Sequence, residues 1–225
     1  MAVATEDIRF TRGLLNVSDA SRYLGIARST FQGWANDGGD GPPLLHTLAP
    51  RPRRASVTFV AFAEAHVLKA LSAAGVRPQR IRPALKRLQN EFGRDYVLIA
   101  PELATDGIDV LWDFSRSPEG EGLIEGATGQ RVMREIVEDY LQYVTRDEDG
   151  YPRLIELMTF LPSKAVIDPW RAFGQPIFPR SGTRVGDVAA MLSAGEDPEV
   201  VADELDVTSE EVRAAARVLL GRRAA

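Results

Sequence analysis

Apolar residues recur along this chain at helical spacing in short runs, and glycine or proline closes each run. In the first run, over 17–26, Ala20, Tyr23 and Leu24 fall on one helical face. Ser18 is placed to cap its start with Asp19 in the first turn. Gly25 ends it, as a residue able to take positive φ. A second short helix is predicted from Arg28 to Ala35, with Phe31 and Trp34 one turn apart facing inward. Two short helices joined by a glycine-containing turn form a helix-turn-helix pattern.

The pattern then changes. Residues 1–14 carry little periodicity and suit a loop or an edge strand, and 36–43 (NDGGDGPP) read as a loop. Residues 44–48 and 57–59 read as strands of a β-hairpin. The tip between them carries Arg51, Arg53 and Arg54, stiffened by Pro50 and Pro52; this predicts the wing of a winged helix. Helices are predicted over 60–73 and 78–92, the second with Ile81, Leu85, Leu88 and Phe92 as its buried stripe and Pro83 bending its early turns. In the middle, 96–100 and 109–114 read as strands around an Asp106-Gly107 turn, and 129–145 reads as a helix with Val132, Ile136, Tyr140 and Val144 inward. An acidic turn at 147–150 precedes a strand over 154–160.

After a proline- and aromatic-rich connector at 162–179, three short helices are predicted. They cover 185–193, a segment opened by Asp197-Pro198 and running to Leu205, and a segment to Leu220 opened by the Thr208-Ser209-Glu210-Glu211 capping box. The fold class expected is mainly α with small β elements (α+β). A winged helix-turn-helix occupies 1–92, an α+β segment 93–161 and a helical, helix-turn-helix-like unit 162–225.

Composition narrows the chemistry. The chain has 225 residues, no cysteine and two histidines, His46 and His66. Thiolate nucleophiles and cysteine-ligated metals are therefore excluded, and a histidine metal centre is disfavoured. No phosphate-binding glycine loop has the required spacing, since in Gly120-Glu121-Gly122 the next glycine, Gly126, falls one residue late. Neighbouring carboxylates at Asp147, Glu148 and Asp149 sit in a turn where they rarely converge. The expectation is no enzyme, no catalytic residue, no metal and no cofactor. No apolar run has the 18 or more residues of a membrane span, and the polar, acidic start is unlike a signal peptide. A cytoplasmic protein with no membrane partner is expected.

The net charge of −5 hides an asymmetry: residues 1–100 carry 14 Lys and Arg against 8 Asp and Glu, whereas 101–225 carry 13 against 24. A basic front suits a polyanion. In a helix-turn-helix the second helix reads base edges from its N-terminal half. Arg28, Ser29 and Gln32 would face outward there, arginine suiting guanine and glutamine adenine. Thr30 and Arg22 are better placed for phosphates. Gly33 costs roughly 1 kcal/mol of helix stability against alanine, but lets a sugar-phosphate backbone approach closely. Arg51, Arg53 and Arg54 would add phosphate contacts from the wing. A further basic run, Arg77, Arg80, Arg82, Lys86 and Arg87, reads as a solvated face or a flank to the DNA.

The last 45 residues hold 5 Lys and Arg against 9 Asp and Glu, so the C-terminal unit is better suited to protein than to DNA. Its basic end, Arg222 and Arg223, is a candidate for reaching a carboxylate-lined pocket on a partner. A homodimer is expected, since paired half-sites double the readout. Two other readings stay open: a ligand-responsive regulator with Trp112, Phe114, Tyr140 and Tyr143 lining a pocket, and an interaction adaptor that binds no DNA.

Two stretches resemble known families. VSDASRYLGIARSTFQGW and the helix pair VTFVAFAEAHVLKALSAAGVRPQRIRPALKRL are similar to a MerR-type winged helix. IDPWRAFGQPIF, SGTRV and AMLSAGEDPEVVADELDVTSEEVRAA resemble an antitoxin-associated domain of unknown function, number four-three-three. Gly174, Pro176, Gly182, Thr183, Arg184 and Gly195 fall at its spacings. Chains of this layout are similar to VapB-type antitoxins. That resemblance implies a transcriptional autorepressor that binds operator DNA. It also implies a cognate VapC-like PIN-domain toxin, a Mg²⁺-requiring ribonuclease, as the partner it neutralises.

Overall fold

The structure, a computed structural model, describes residues 7–36, 43–52, 54–124 and 129–221. Its backbone is mainly helical with small β elements, as expected. The chain packs as two compact units, each discontinuous in sequence.

One unit gathers residues 1–28, 48–59 and 153–225. It begins with a single helical turn, α1 (Ile8–Thr11), followed by strand β1 (Gly13–Leu15) and helix α2 (Val17–Leu24). Asn16, not Ser18, caps α2: its side-chain oxygen accepts from the Asp19 N–H at 2.8 Å. The helix therefore starts two residues earlier than its polar pattern indicates. Gly25 closes α2 at φ 66, and the backbone N–H groups of Gly25 and Ile26 satisfy the last carbonyls at Arg22 and Ser21.

β1 pairs antiparallel with β2 (Val57–Thr58). Residues 44–48 form no strand, which corrects the expected hairpin. The wing survives as a loop closed by the Leu48 N–H donating to Ser56 O at 2.8 Å, with a turn at its tip where the Arg54 N–H donates to Arg51 O. The partner of β2 is thus β1 and not the 44–48 stretch, which, among the described residues, makes only the single Leu48–Ser56 bond across the loop. Gly13 makes the close approach possible, because a Cβ there would lie 2.0 Å from Ala55 O.

In the same unit, β4 (Pro152–Glu156) pairs antiparallel with β5 (Val166–Ile167). The predicted strand at 154–160 is thus shorter and earlier, and 158–160 is a 3₁₀ turn. Three helices follow: α8 (Val185–Ala194), α9 (Pro198–Glu204) and α10 (Ser209–Leu220). Each lies within a residue or so of its predicted span. Asp197 caps α9, and Thr208 with Glu211 forms the predicted capping box of α10. α10 packs on α8, on α2 and on the 158–160 turn. Thr159 Oγ1 donates to Tyr23 O at 2.8 Å, and Arg217 donates to Leu161 O at 3.0 Å. The first helix of the helix-turn-helix and the C-terminal helices therefore share a core.

The other unit gathers 29–47 and 60–152. Helix α4 (Phe59–Ala73) is apolar nearly all round, so it is buried nearly all round. The predicted 78–92 helix is a 3₁₀ turn at Pro78–Arg80 followed by α5 (Arg82–Phe92). Pro83 bends nothing: it sits in the first turn of α5, where an amide N–H has no partner in any case. Ile81, Leu85 and Leu88 are buried as predicted, while Phe92 is half-exposed.

The centre of the chain departs most from its sequence pattern. Residues 96–100 hold a 3₁₀ turn, and the expected strand at 109–114 is helix α6 (Ile108–Ser115), burying Ile108, Leu111 and Phe114. Helix α7 (Gln130–Leu141) is shorter than 129–145 and turns one residue from the predicted stripe. Met133 and Val137 are buried, Val132 is exposed, and Val144 lies in strand β3 (Val144–Arg146). An ion pair explains part of this: Arg134 and Gln130 of α7 both bond Asp109 of α6, fixing the rotation of the two helices. The acidic stretch is a turn, where the Asp147 N–H donates to Tyr151 O and the Gly150 N–H to Asp147 O.

Candidate nucleic-acid interface

The second helix of the helix-turn-helix, α3 (Arg28–Ala35), separates its side chains cleanly. Phe31 is fully buried and Trp34 nearly so. Arg28, Ser29, Thr30, Gln32 and Gly33 are all exposed. The buried pair, three residues apart, anchors one face and leaves the opposite face to solvent. That outer face holds the four side chains expected to meet DNA, among them a guanidinium and an amide, the types that recognise guanine and adenine edges bidentately.

Beside that face lies a depression of about 310 Å³, open to solvent. Ser29, Thr30, Gly33 and Asn36 line one side, and Gln79 and Arg82 the other. Arg82 is held there by donating to Asn36 O at 3.2 Å. By sequence Arg82 is one of five cations in a run that reads as a solvated face or a flank to the DNA. The fold brings it to α3, some fifty residues earlier in the chain, whereas Arg80 of the same run donates to Glu121 O. The one available signal was the density of arginines over 77–87, which does not say which of them turns toward α3. Gly33 has open space where a Cβ would stand, so no packing demand explains the glycine.

Arg22 is exposed on α2, 3.9 Å from Asp19, a separation that leaves its guanidinium largely available. In the 48–56 loop, Arg51 and Arg54 are exposed. Arg53 lies outside the described residues, as do Arg222 and Arg223 of the basic end. Of the aromatic residues considered for a ligand pocket, Phe114 is buried, and the Tyr140 ring lies tilted, 5.5 Å from His66 and 5.6 Å from the Lys69 ammonium. No group of three or more metal-ligating side chains occurs among the described residues.

Both histidines are structural. His66 is buried on α4, with its Nε2 3.0 Å from Tyr140 O. Burial, with the Lys69 ammonium nearby, holds its pKa below the ordinary value despite that bond. His46 pairs with the buried carboxylate of Glu64.

These features define a helix-turn-helix protein of the DNA-binding class. Residues 13–85 match a family described as "Putative DNA-binding HTH domain". Residues 166–217 match "Protein of unknown function (DUF433)". Over 226 aligned residues the chain is 40% identical to the "Putative antitoxin VapB45" of Mycobacterium tuberculosis (strain ATCC 25618 / H37Rv), covering 92% of this chain and 94% of that protein. The crystal structure of Rv2018 from Mycobacterium tuberculosis matches at a TM-score of 0.76 and 37% identity, over 92% of this chain and 98% of that one. The chain belongs to the VapB antitoxin family.

Proposed function

We propose that this chain is the DNA-binding antitoxin of a type II toxin–antitoxin pair, represses its own operon, and neutralises a VapC-like PIN-domain ribonuclease by direct binding. The observation that carries the DNA half is α3, whose Phe31 and Trp34 are buried while Arg28, Ser29, Thr30 and Gln32 stand outward. In this reading Arg28, Ser29 and Gln32 meet base edges. Thr30, Arg22 and the loop arginines Arg51, Arg53 and Arg54 meet phosphates. Residues 1–92 carry DNA binding, 93–161 connect, and 162–225 serve protein contacts.

Kinship with VapB45 supports the toxin half and a non-enzymatic, regulatory role. Arg222 and Arg223 are the candidates for toxin contact, reaching carboxylates on the partner. The protein acts as a homodimer on paired half-sites, in the cytoplasm. Among the described residues no helix is long and apolar enough to cross a membrane.

Titration of the purified protein against the DNA upstream of its own reading frame, at two salt concentrations, tests the first half. A mobility shift at low salt that weakens at high salt is expected, and no shift at low salt overturns it. Co-expression with the neighbouring reading frame tests the second: a co-purifying nuclease whose activity is suppressed is expected, and an unaffected nuclease overturns it.

A further inference from the structure

Phe173 is 71% exposed, and its backbone makes that exposure unusual. Ala172 (φ 46) and Phe173 (φ 55) both adopt the left-handed conformation, though neither is glycine. Such residues persist only where their surroundings over-determine them, and they cluster at functional sites. Here the surroundings do so. The Trp170 N–H donates to Asp168 Oδ1 (2.9 Å), the Gly174 N–H to Arg171 O (2.8 Å), and Gln175 Nε2 to Leu14 O (2.9 Å). Gly174 lies so close to Leu14 that a Cβ would fall 2.5 Å from its Cδ1. The Phe173 ring is thus held outward by a pinned segment, and docking it orders little that is not ordered already.

Cations lie against the two exposed rings of this segment. The Arg12 guanidinium lies 5.5 Å from the Phe173 ring centre, and Arg9 and Arg153 lie 5.5 and 5.2 Å from that of Trp170. Arg9 and Arg153 have carboxylate partners in Asp7 and Asp168. Arg12 and Arg171 are exposed and pair with no carboxylate among the described residues. The segment thus carries an exposed ring with the Arg12 guanidinium against it and a second exposed arginine, Arg171, two residues away in the chain.

The same packed unit carries a surface of the opposite character. On α9, Val201 and Ala202 face inward while Val200 is 48% exposed. Asp203 and Glu204, three and four residues on, share the face of Val200. Both are exposed and meet no cation among the described residues.

We propose that these two surfaces meet between two copies of this chain. Phe173, with Arg12 and Arg171, seats against the Val200–Asp203–Glu204 face of α9 in the second copy, and a two-fold axis makes the contact twice. Aromatic and arginine residues at the centre with charge complementarity at the rim are what a specific interface requires. A nucleic acid is the poorer occupant, because guanidiniums already lie against the Trp170 and Phe173 rings where a base would stack. The contact takes up the homodimer of the proposed function and gives it a surface.

The test is the solution mass of the full chain by sedimentation at micromolar concentration, with DNA binding followed in parallel by mobility shift. The wild type sediments as a dimer. The charge-reversed variants R12E/R171E and D203K/E204K each sediment as folded monomers, and their equimolar mixture regains the dimer mass, since every reversed contact is then complementary. Phe173→Ser removes the ring from both halves of the two-fold contact and raises the dimer dissociation constant by roughly 1000-fold, the scale of losing two central side chains. A monomeric wild type, reversed variants that stay dimeric, or a mixture that stays monomeric overturns the proposal. A dimer that shifts no DNA leaves this interface standing and overturns the operator reading; a monomer that shifts DNA does the reverse.

Discussion

His46 Nδ1 lies 2.6 Å from Glu64 Oε1, and the His46 backbone N–H donates to the other oxygen of that carboxylate at 2.7 Å. One buried side chain of α4 thus grips the stretch that leads toward the arginine-bearing loop at two points. The Tyr96 ring covers the imidazole, 4.5 Å between centres. Burial works against a charged His46. The hydrogen bond and charge of Glu64, with Asp95 beyond, outweigh it and hold the His46 pKa above its ordinary 6.5. Burial also raises the Glu64 carboxyl, against the pull of His46.

Both groups therefore bind protons more tightly folded than unfolded. The His46 contribution is fully present below 6.5 and is lost as pH rises through its folded value, and the Glu64 contribution is fully present below 4.5 and is lost as pH rises through its own folded value. His66 has the opposite sign, because burial lowers its pKa: its contribution is present above 6.5 and lost as pH falls through its folded value. Melting temperature measured across neutrality is expected to drop on the alkaline side in the wild type, with the drop flattened by Glu64→Gln. His66→Gln flattens the acid side instead. An alkaline limb unchanged by Glu64→Gln removes the pair from the account.

Base contacts and phosphate contacts part company under substitution. Arg28→Ala and Gln32→Ala are expected to cost about 1–3 kcal/mol each on the preferred sequence and little on random DNA. Arg51→Ala and Arg54→Ala weaken binding to every sequence alike, and each lowers the slope of log affinity against log salt by about 0.9. Titrations on operator and scrambled duplexes at several salt concentrations separate the two classes.

Gly33→Ala fills open space, since nothing lies within 4 Å of the added carbon. It should stabilise α3 by roughly 1 kcal/mol in chemical denaturation. If α3 lies close along a sugar-phosphate backbone, the same change weakens DNA binding. A variant that is both more stable and fully active means the glycine has no part in DNA contact.

Gly174→Ala is predicted to destabilise by about 1–3 kcal/mol, the range for forcing atoms into a filled site. The new carbon meets Leu14 at 2.5 Å and the backbone stands at φ +73. A Leu14→Ala partner change makes room and should recover part of the loss, read as non-additivity in a double-mutant cycle.

Sequence alone determined the helices whose ends carry their own chemistry. α9 and α10 begin at Asp197 and Thr208 and α2 stops at Gly25, because caps and left-handed glycines act through neighbours within four residues. The outward set on α3 was legible for the same reason, since a Phe31–Trp34 spacing fixes which face is buried. Tertiary structure decided what depends on distant partners. The pairing partner of β2 is β1, more than forty residues earlier, and not the adjacent 44–48 stretch. Residues 109–114 became helical and α7 rotated because Asp109 bonds Gln130 and Arg134, twenty-one and twenty-five residues away. Arg82 reached α3, and Phe173 was held outward over Leu14, through contacts that no local pattern encodes. Periodicity reports what a segment can bury, and only the folded chain supplies the surface it buries against.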